Sequence, residues 1–330
     1  MHALITGGAG FIGSHLSEYL IRRGHRVSVL DDLSTGRLSN LDSVIDDDAF
    51  SMRIGSILDE TLVDEMVAGC DHVFHLAAAV GVHLIVDHPL ESLRTNLRGT
   101  ENVLDATVRH HRRLLLASTS EVYGKNTADL LHEDSDRILG SPLLSRWTYA
   151  AAKGLDEAMT YAHVEADDLR AVIVRLFNTV GPRQRGHYGM VVPSLISQAL
   201  AGQDITVYGD GRQTRCFSHV ADIVPALTAL IDCEPAVGQA VNLGGGLEIS
   251  INQLAGRIIT LLGSTSSIVH VPYDQAYGSG YEDMRRRVPD NSKAKALVGF
   301  VPRADLDTII TTVADGLLSE QGIKLGAVIQ

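Results

Sequence analysis

The sequence predicts an α/β protein in which a doubly wound parallel sheet is followed by a smaller α/β lobe. Three observations predict it. Short apolar runs alternate with amphipathic stretches through the first half of the chain, the pattern of buried parallel strands covered by helices on both faces. A glycine cluster, Gly7-Gly8-Ala9-Gly10-Phe11-Ile12-Gly13, separates the first apolar run from the first amphipathic stretch. After Gly181-Pro182 the rhythm loosens into glycine- and arginine-rich loops, as in Tyr208-Gly209-Asp210-Gly211 and Gly244-Gly245-Gly246.

Taken in order, apolar runs predict strands over residues 2–6, 26–30, 51–54, 72–77 and 114–118. Helical periodicity fits between them over 11–23, 60–68 and 90–111. A further helix is expected over 149–164 and a strand over 171–177. This gives a first lobe over 1–180 and a second over 181–330, with the chain free to cross between them more than once. The second lobe is expected against the carboxyl ends of the strands, where α/β proteins bind ligands.

Composition narrows the function. With 330 residues, 45% of them hydrophobic, the chain has enough apolar material for a sizeable core. A formal net charge of −12 disfavours nucleic acid as a partner. A small anionic ligand needs only a few local cations, and the second half holds local groups of arginines, such as Arg212 with Arg215 and the run Arg285 to Arg287. The cysteines Cys70, Cys216 and Cys233 have neither disulfide-framework nor metal-ligand spacing. They read as thiols in a reducing compartment, and no metal site is expected. No apolar run approaches the roughly 18 residues that span a membrane, and no leader precedes the first strand. The expectation is a soluble cytoplasmic protein without a membrane partner.

The glycine cluster fits G-x-G-x-x-G through Gly8, Gly10 and Gly13, and G-x-x-G-x-x-G through Gly7, Gly10 and Gly13. Missing side chains let backbone approach a pyrophosphate, whose charge the following helix N-terminus stabilises. Phe11 and Ile12 lie within this turn, and the next strand ends in Asp31-Asp32. A carboxylate there accepts both hydroxyls of an adenosine ribose and repels a 2′-phosphate. The expected cofactor is NAD, and the first lobe reads as a Rossmann domain.

Tyr149-Ala-Ala-Ala-Lys153 lies on a predicted helix, where spacing of four puts both side chains on one face. A lysine ammonium lowers the pKa of a neighbouring phenol, so tyrosinate can take a hydroxyl proton as hydride leaves the same carbon. Together with the glycine turn, this pair resembles the extended short-chain dehydrogenase/reductase family, and the resemblance covers almost the whole chain. It implies that Tyr149 is the base, and that Lys153 assists it and binds the nicotinamide ribose. Ser118-Thr119-Ser120-Glu121 matches the family's Ser/Thr segment, with Thr119 similar to the hydroxyl that binds the reacting sugar oxygen. Leu76-Ala77-Ala78, Asn96 and Ser118 match segments that line the cofactor. After the third strand, where many relatives place an Asp for adenine, this chain has Ser56.

The second half resembles the nucleotide-sugar branch of that family. In the segment from Arg175 to Arg183, Asn178 is implied to lie near a diphosphate. In Val207-Tyr208-Gly209-Asp210-Gly211-Arg212-Gln213-Thr214-Arg215, the resemblance implies that Tyr208 packs on uracil and Arg215 binds diphosphate, with Gln213 beside them. Arg287, in Arg285-Arg286-Arg287-Val288-Pro289-Asp290, aligns with a nucleotide-contacting arginine. Guanidinium forks suit a diphosphate through charge-assisted hydrogen bonds. The expected partner is therefore a UDP-sugar.

Oxidising a sugar hydroxyl to a ketone permits epimerisation, dehydration or decarboxylation, and neighbouring residues decide among them. Sugar 4,6-dehydratases usually carry Thr-Asp-Glu, whereas this chain has Thr119-Ser120-Glu121 and so no acid to expel a hydroxyl. Ser-Glu resembles UDP-glucuronate decarboxylases (UDP-xylose synthases). Those usually have an arginine before the Val-Val pair, where this chain has Met190 before Val191-Val192; Arg185, or less readily His187, supplies a cation there instead. Decarboxylation of UDP-glucuronate through a 4-keto intermediate is the leading expectation. Epimerisation of a UDP-sugar at carbon 4 is the alternative, with dehydration or non-catalytic NAD sensing behind it. The resemblance also implies a homodimer built from the helices over 90–111 and 149–164.

Overall fold

The computed structural model describes residues 1–79, 89–186, 190–277, 284–320, 322, 323 and 325, so His187 lies outside the described residues. The apolar runs become β1 (His2–Thr6), β2 (Arg26–Asp31), β3 (Phe50–Ile54), β4 (His72–His75), β5 (Arg113–Thr119) and β6 (Ala171–Leu176). Between them lie α1 (Phe11–Arg22), α2 (Glu60–Ala68), α3 (Pro89–Arg109) and α4 (Thr148–Asp167). The central strands carry apolar residues on both faces because helices cover both; Ala3, Leu4 and Ile5 are all fully buried. The expected strand over 72–77 stops at His75, where Leu76 N–H donates to the Thr6 carbonyl and the chain turns into the cleft.

The chain continues through β7 (Thr179–Val180), α5 (Val191–Leu200), β8 (Ile205–Tyr208), β9 (Thr214–Cys216), β10 (Ser218–His219), α6 (Val220–Ile231) and β11 (Ala240–Leu243). Next come β12 (Glu248–Ser250), α7 (Ile251–Leu262), β13 (Ile268–Val271), α8 (Tyr273–Tyr277), β14 (Arg286–Arg287), α9 (Ser292–Val298) and α10 (Leu306–Ser319).

Seven parallel strands form the main sheet in the order β3-β2-β1-β4-β5-β6-β11. The order reverses direction between β1 and β4, which opens a crevice at their carboxyl ends. The loops after β1, β2, β4 and β5 meet there, and these loops carry the glycine turn, Asp31, Leu76–Ala79 and Thr119–Glu121. The sheet core joins Ile5, Val29, Phe74 and Val174 to Val220, Leu227 and Leu243, so α6 and β11 pack as part of the first lobe. A separate core, with Val192, Ile196, Val207, Leu254, Ile258 and Ile310, unites α5, β8, α7 and α10. Small sheets β12-β9-β14 and β13-β8 complete this second lobe over the crevice.

Candidate active site

A cavity of about 730 Å³ follows the carboxyl edge of the sheet and continues beneath the second lobe. Its first wall is the glycine turn. Gly7 sits at φ 73°, and a Cβ there would lie 2.8 Å from the Ala77 nitrogen. A Cβ on Gly13 would lie 2.3 Å from the Gly7 carbonyl oxygen. Only hydrogen fits at either position, so the turn brings bare backbone to the cavity, with Gly10, Phe11 and Ile12 also lining it.

Asp31 fixes this turn from the second strand. Its carboxylate accepts from Ala9 N–H at 2.9 Å and Leu33 N–H at 2.8 Å while still lining the cavity, as does Asp32. Burial pushes the Asp31 pKa up, against the pull of those two backbone donors. Leu76, Ala77 and Ala78, packed beside the glycine turn, also line the cavity. Asn96 does not line the cavity; it is buried in α3 and holds Ala79, accepting from its N–H at 2.8 Å and donating to its carbonyl at 3.2 Å. It supports the cofactor wall from behind. Ser56 also stays out of the lining, its hydroxyl accepting from Leu58 N–H.

These features fit a dinucleotide: a side-chain-free turn at a helix N-terminus, a carboxylate at the end of β2, and an apolar segment beside them.

Tyr149, Lys153, Thr119, Ser120 and Glu121 line the same cavity. Thr119 Oγ1 accepts from Glu121 N–H at 3.2 Å, which leaves the hydroxyl proton to be donated. Ser118 reaches the lining, but its hydroxyl donates to Glu157 at 2.5 Å. Glu157 is in turn gripped by both edges of Arg175, at 2.9 and 2.7 Å. Arg175 also donates to the Tyr123 hydroxyl at 2.9 Å, and Tyr123 to Asn242 at 2.7 Å. This buried network fastens α4, which carries Tyr149, to β5, β6 and β11.

The electrostatics differ from the expected phenol-lowering lysine. The Lys153 ammonium lies 3.2 Å from the Asp156 carboxylate, and both are buried. Burial, then the Glu121 and Asp156 carboxylates, push the Tyr149 phenol above its usual range. Lys153 is engaged by a partner of its own, so its field on the phenol is offset.

Glu121 is held by two arginines, Arg146 Nη1 at 2.5 Å and Arg287 Nη1 at 2.5 Å. Burial alone would raise its pKa, but Arg146, Arg287 and Arg215 outweigh it and bring it down to about 2. Such a carboxylate is a poor proton acceptor near neutrality and a good anchor for cations.

On the second lobe Asn178, Arg185, Val191, Tyr208, Gln213, Arg215 and Arg287 all line the same cavity. Of the arginine run, Arg287 turns inward, donating to Asn178 at 3.0 Å. Arg286 turns outward to grip Glu248 at 2.8 and 2.9 Å, as strand alternation requires. Gln213 bridges the Tyr208 carbonyl and the Tyr273 hydroxyl, each at 3.1 Å. Arg146, Tyr273 and Asp156 were missed in the sequence. Asp156 sits three residues past Lys153 on one helix face, a spacing that could have found it; Arg146 and Tyr273 carry no motif.

The sequence matches the model of a family described as GDP-mannose 4,6 dehydratase over residues 4–313. The chain belongs to this family. It is an extended short-chain dehydrogenase/reductase, with the seven-stranded parallel sheet of that group. Among curated members it is 43% identical over 300 residues to the UDP-N-acetyl-α-D-glucosaminuronate decarboxylase of Bacillus cytotoxicus, covering 91% of this chain and 92% of that one. It is 39% identical over 306 residues to UDP-glucuronic acid decarboxylase 1 of Xenopus tropicalis, covering 92% of this chain and 69% of that one. Among solved family structures, the UDP-glucuronic acid 4-epimerase of Bacillus cereus, in complex with UDP-glucuronic acid and NAD, superposes with a TM-score of 0.86. That pair is 27% identical, covering 97% of this chain and 100% of that one. None of the described helices is long and apolar enough to cross a membrane.

Proposed function

We propose that the protein is an NAD-dependent UDP-hexuronate decarboxylase acting on UDP-glucuronate through a 4-keto sugar. The observation that carries this reading is the convergence of Tyr149, Thr119 and the Arg146–Glu121–Arg287 cluster in the cavity that begins at the glycine turn. The decarboxylases among its relatives, matched along 91% and 92% of this chain, support it.

Gly7, Gly10 and Gly13 hold the pyrophosphate of NAD, Asp31 its adenosine ribose, and Lys153 its nicotinamide ribose. Bound NAD supplies a reversible hydride acceptor for carbon 4 of the sugar. Tyr149 takes the 4-hydroxyl proton and later returns it, while Thr119 donates a hydrogen bond to the same oxygen. The resulting ketone is β to the uronate carboxylate, so carbon dioxide leaves with its bond electrons taken up as an enolate; the enolate is protonated at carbon 5, and the hydride then returns to carbon 4. Arg215 and Arg287 hold the diphosphate, and Tyr208 packs on the uracil. Glu121 keeps Arg146 and Arg287 aimed into the site. Arg185 at the rim faces the sugar carboxylate in the role that an arginine before Val191 would otherwise fill.

Epimerisation at carbon 4 is the second reading, favoured by the fold match to the B. cereus 4-epimerase and by Met190 before Val191. The purified enzyme incubated with NAD and UDP-glucuronate, followed by mass spectrometry and NMR, decides between them. Loss of carbon dioxide is expected; an unchanged mass with a new sugar signal would mean epimerisation. UDP-N-acetylglucosaminuronate belongs in the same assay because of the B. cytotoxicus relative. Tyr149→Phe should cut turnover by about 10²–10⁴-fold while leaving NAD affinity intact. Normal turnover in that variant would remove Tyr149 as the base.

The working form is proposed as a cytoplasmic homodimer joined through α3 and α4. Exposed Leu90 and Leu155 on these helices, 60% and 54% accessible, support the interface. The buried thiols of Cys70 and Cys216 suit a reducing compartment.

A further inference from the structure

Asp156 is fully buried and forms a 3.2 Å ion pair with Lys153. Lys153 and the Thr100 hydroxyl are the polar groups that face it, and of the two only Lys153 carries a charge. A buried carboxylate in that condition is destabilising unless a charge compensates it, and Lys153 supplies that charge. Tyr149, Lys153 and Asp156 follow one another at spacings of four and three on α4, so they share a face. We propose that Asp156 is a positioning residue that holds the Lys153 ammonium in place and tempers its effect on the Tyr149 phenol.

The surroundings leave Asp156 alone in this role. Glu157, next on the helix, is committed to Arg175 and Ser118. Across from the phenol, Glu121 is committed to Arg146 and Arg287. From α3, Thr100 lies beside Asp156, and its hydroxyl is 3.1 Å from His75 Nε2. His75 Nδ1 is 2.7 Å from the Thr6 hydroxyl, and burial and then the Lys153 charge keep the ring neutral. Arg137, from the preceding loop, donates to the Gly154 carbonyl at 3.3 Å. Among the described residues, Lys153 thus pairs with one anion. Burial, Glu121 and Asp156 all raise the phenol, so the proton that Tyr149 takes from the 4-hydroxyl is held firmly through the keto stage and is there to return to the sugar oxygen.

The inference deepens the decarboxylase reading and rests on it for the assay, but the decisive readout needs no turnover. In NAD-loaded enzyme, the Tyr149 phenol is titrated by ultraviolet absorbance as the difference from Tyr149→Phe in the same background. Asp156→Asn should lower its midpoint by roughly one pH unit, and Asp156→Glu should restore it. The acid limb of kcat/KM for UDP-glucuronate should move the same way. Identical midpoints in wild type and Asp156→Asn would overturn the proposal. Should Asp156→Asn fail to fold, thermal melts of Lys153→Met, Asp156→Leu and the double variant decide. The double variant should be more stable than Lys153→Met alone, and simple additivity would overturn the pairing. No turnover by the wild type on either UDP-hexuronate would instead sink the decarboxylase reading, leaving the titration to judge Asp156.

Discussion

At the scale of single residues, Glu121 is where spacing and geometry diverge. Its position after Thr119 and Ser120 marks it in the sequence, but its two arginine partners come from positions 146 and 287. Glu121→Gln leaves two buried guanidiniums without their anion, which costs about 3–5 kcal/mol when one partner of a buried pair is removed. A lowered melting temperature together with loss of turnover is expected, and a melt equal to wild type would mean that the arginines find other anions. Tyr149, Lys153 and the glycines were legible because their chemistry lies along one turn or one helix face. Arg146 was not, because its pairing is made through space by a strand end and a helix start that no local pattern links.

At the scale of elements, the glycine turn is set by contact as much as by ligand. A methyl at Gly13 would sit 2.3 Å from the Gly7 oxygen and 2.7 Å from Gly8 Cα, both backbone atoms that cannot swing aside. Gly13→Ala should therefore pry α1 from β1, lowering stability by about 1–3 kcal/mol and weakening NAD binding in calorimetry. Unchanged affinity and melting would show that the turn has slack. The strands and helices expected before residue 178 were legible to within about three residues, the largest miss being the end of α4 at Asp167 rather than 164, because each is periodic and bounded by turn residues. β11 was not. Ala240–Leu243 is a four-residue run between Gly238 and Gly244-Gly245-Gly246, in a stretch whose glycines read as loop. Its neighbour β6 lies far back in the chain.

At the scale of the whole molecule, buried titrating groups link stability to acid. His75 is fully buried, and burial and then the Lys153 charge bring its pKa from the usual 6.5 to about 3. Between those values the unfolded chain binds a proton that the folded one refuses. Stability therefore falls as pH drops below 6.5, by about 1.4 kcal/mol per pH unit for this group. Glu121 acts in the same direction lower down: its stabilisation is complete above its usual 4.5 and fades as pH falls toward about 2. Melting temperature should decline steadily from pH 6.5 to 4, and His75→Gln should flatten that decline; an unchanged slope would assign the acid sensitivity elsewhere.

The return of the chain to β11 also governs how the protein is made. Strand β6 keeps one edge unpaired until residue 243 has left the ribosome, with β7 to β10 and α5 synthesised in between. The main sheet is thus finished only after α5, β8 and β9 of the second lobe have been made. Long-range closure of this kind makes assembly slow and leaves an adhesive border exposed to other nascent chains in the meantime.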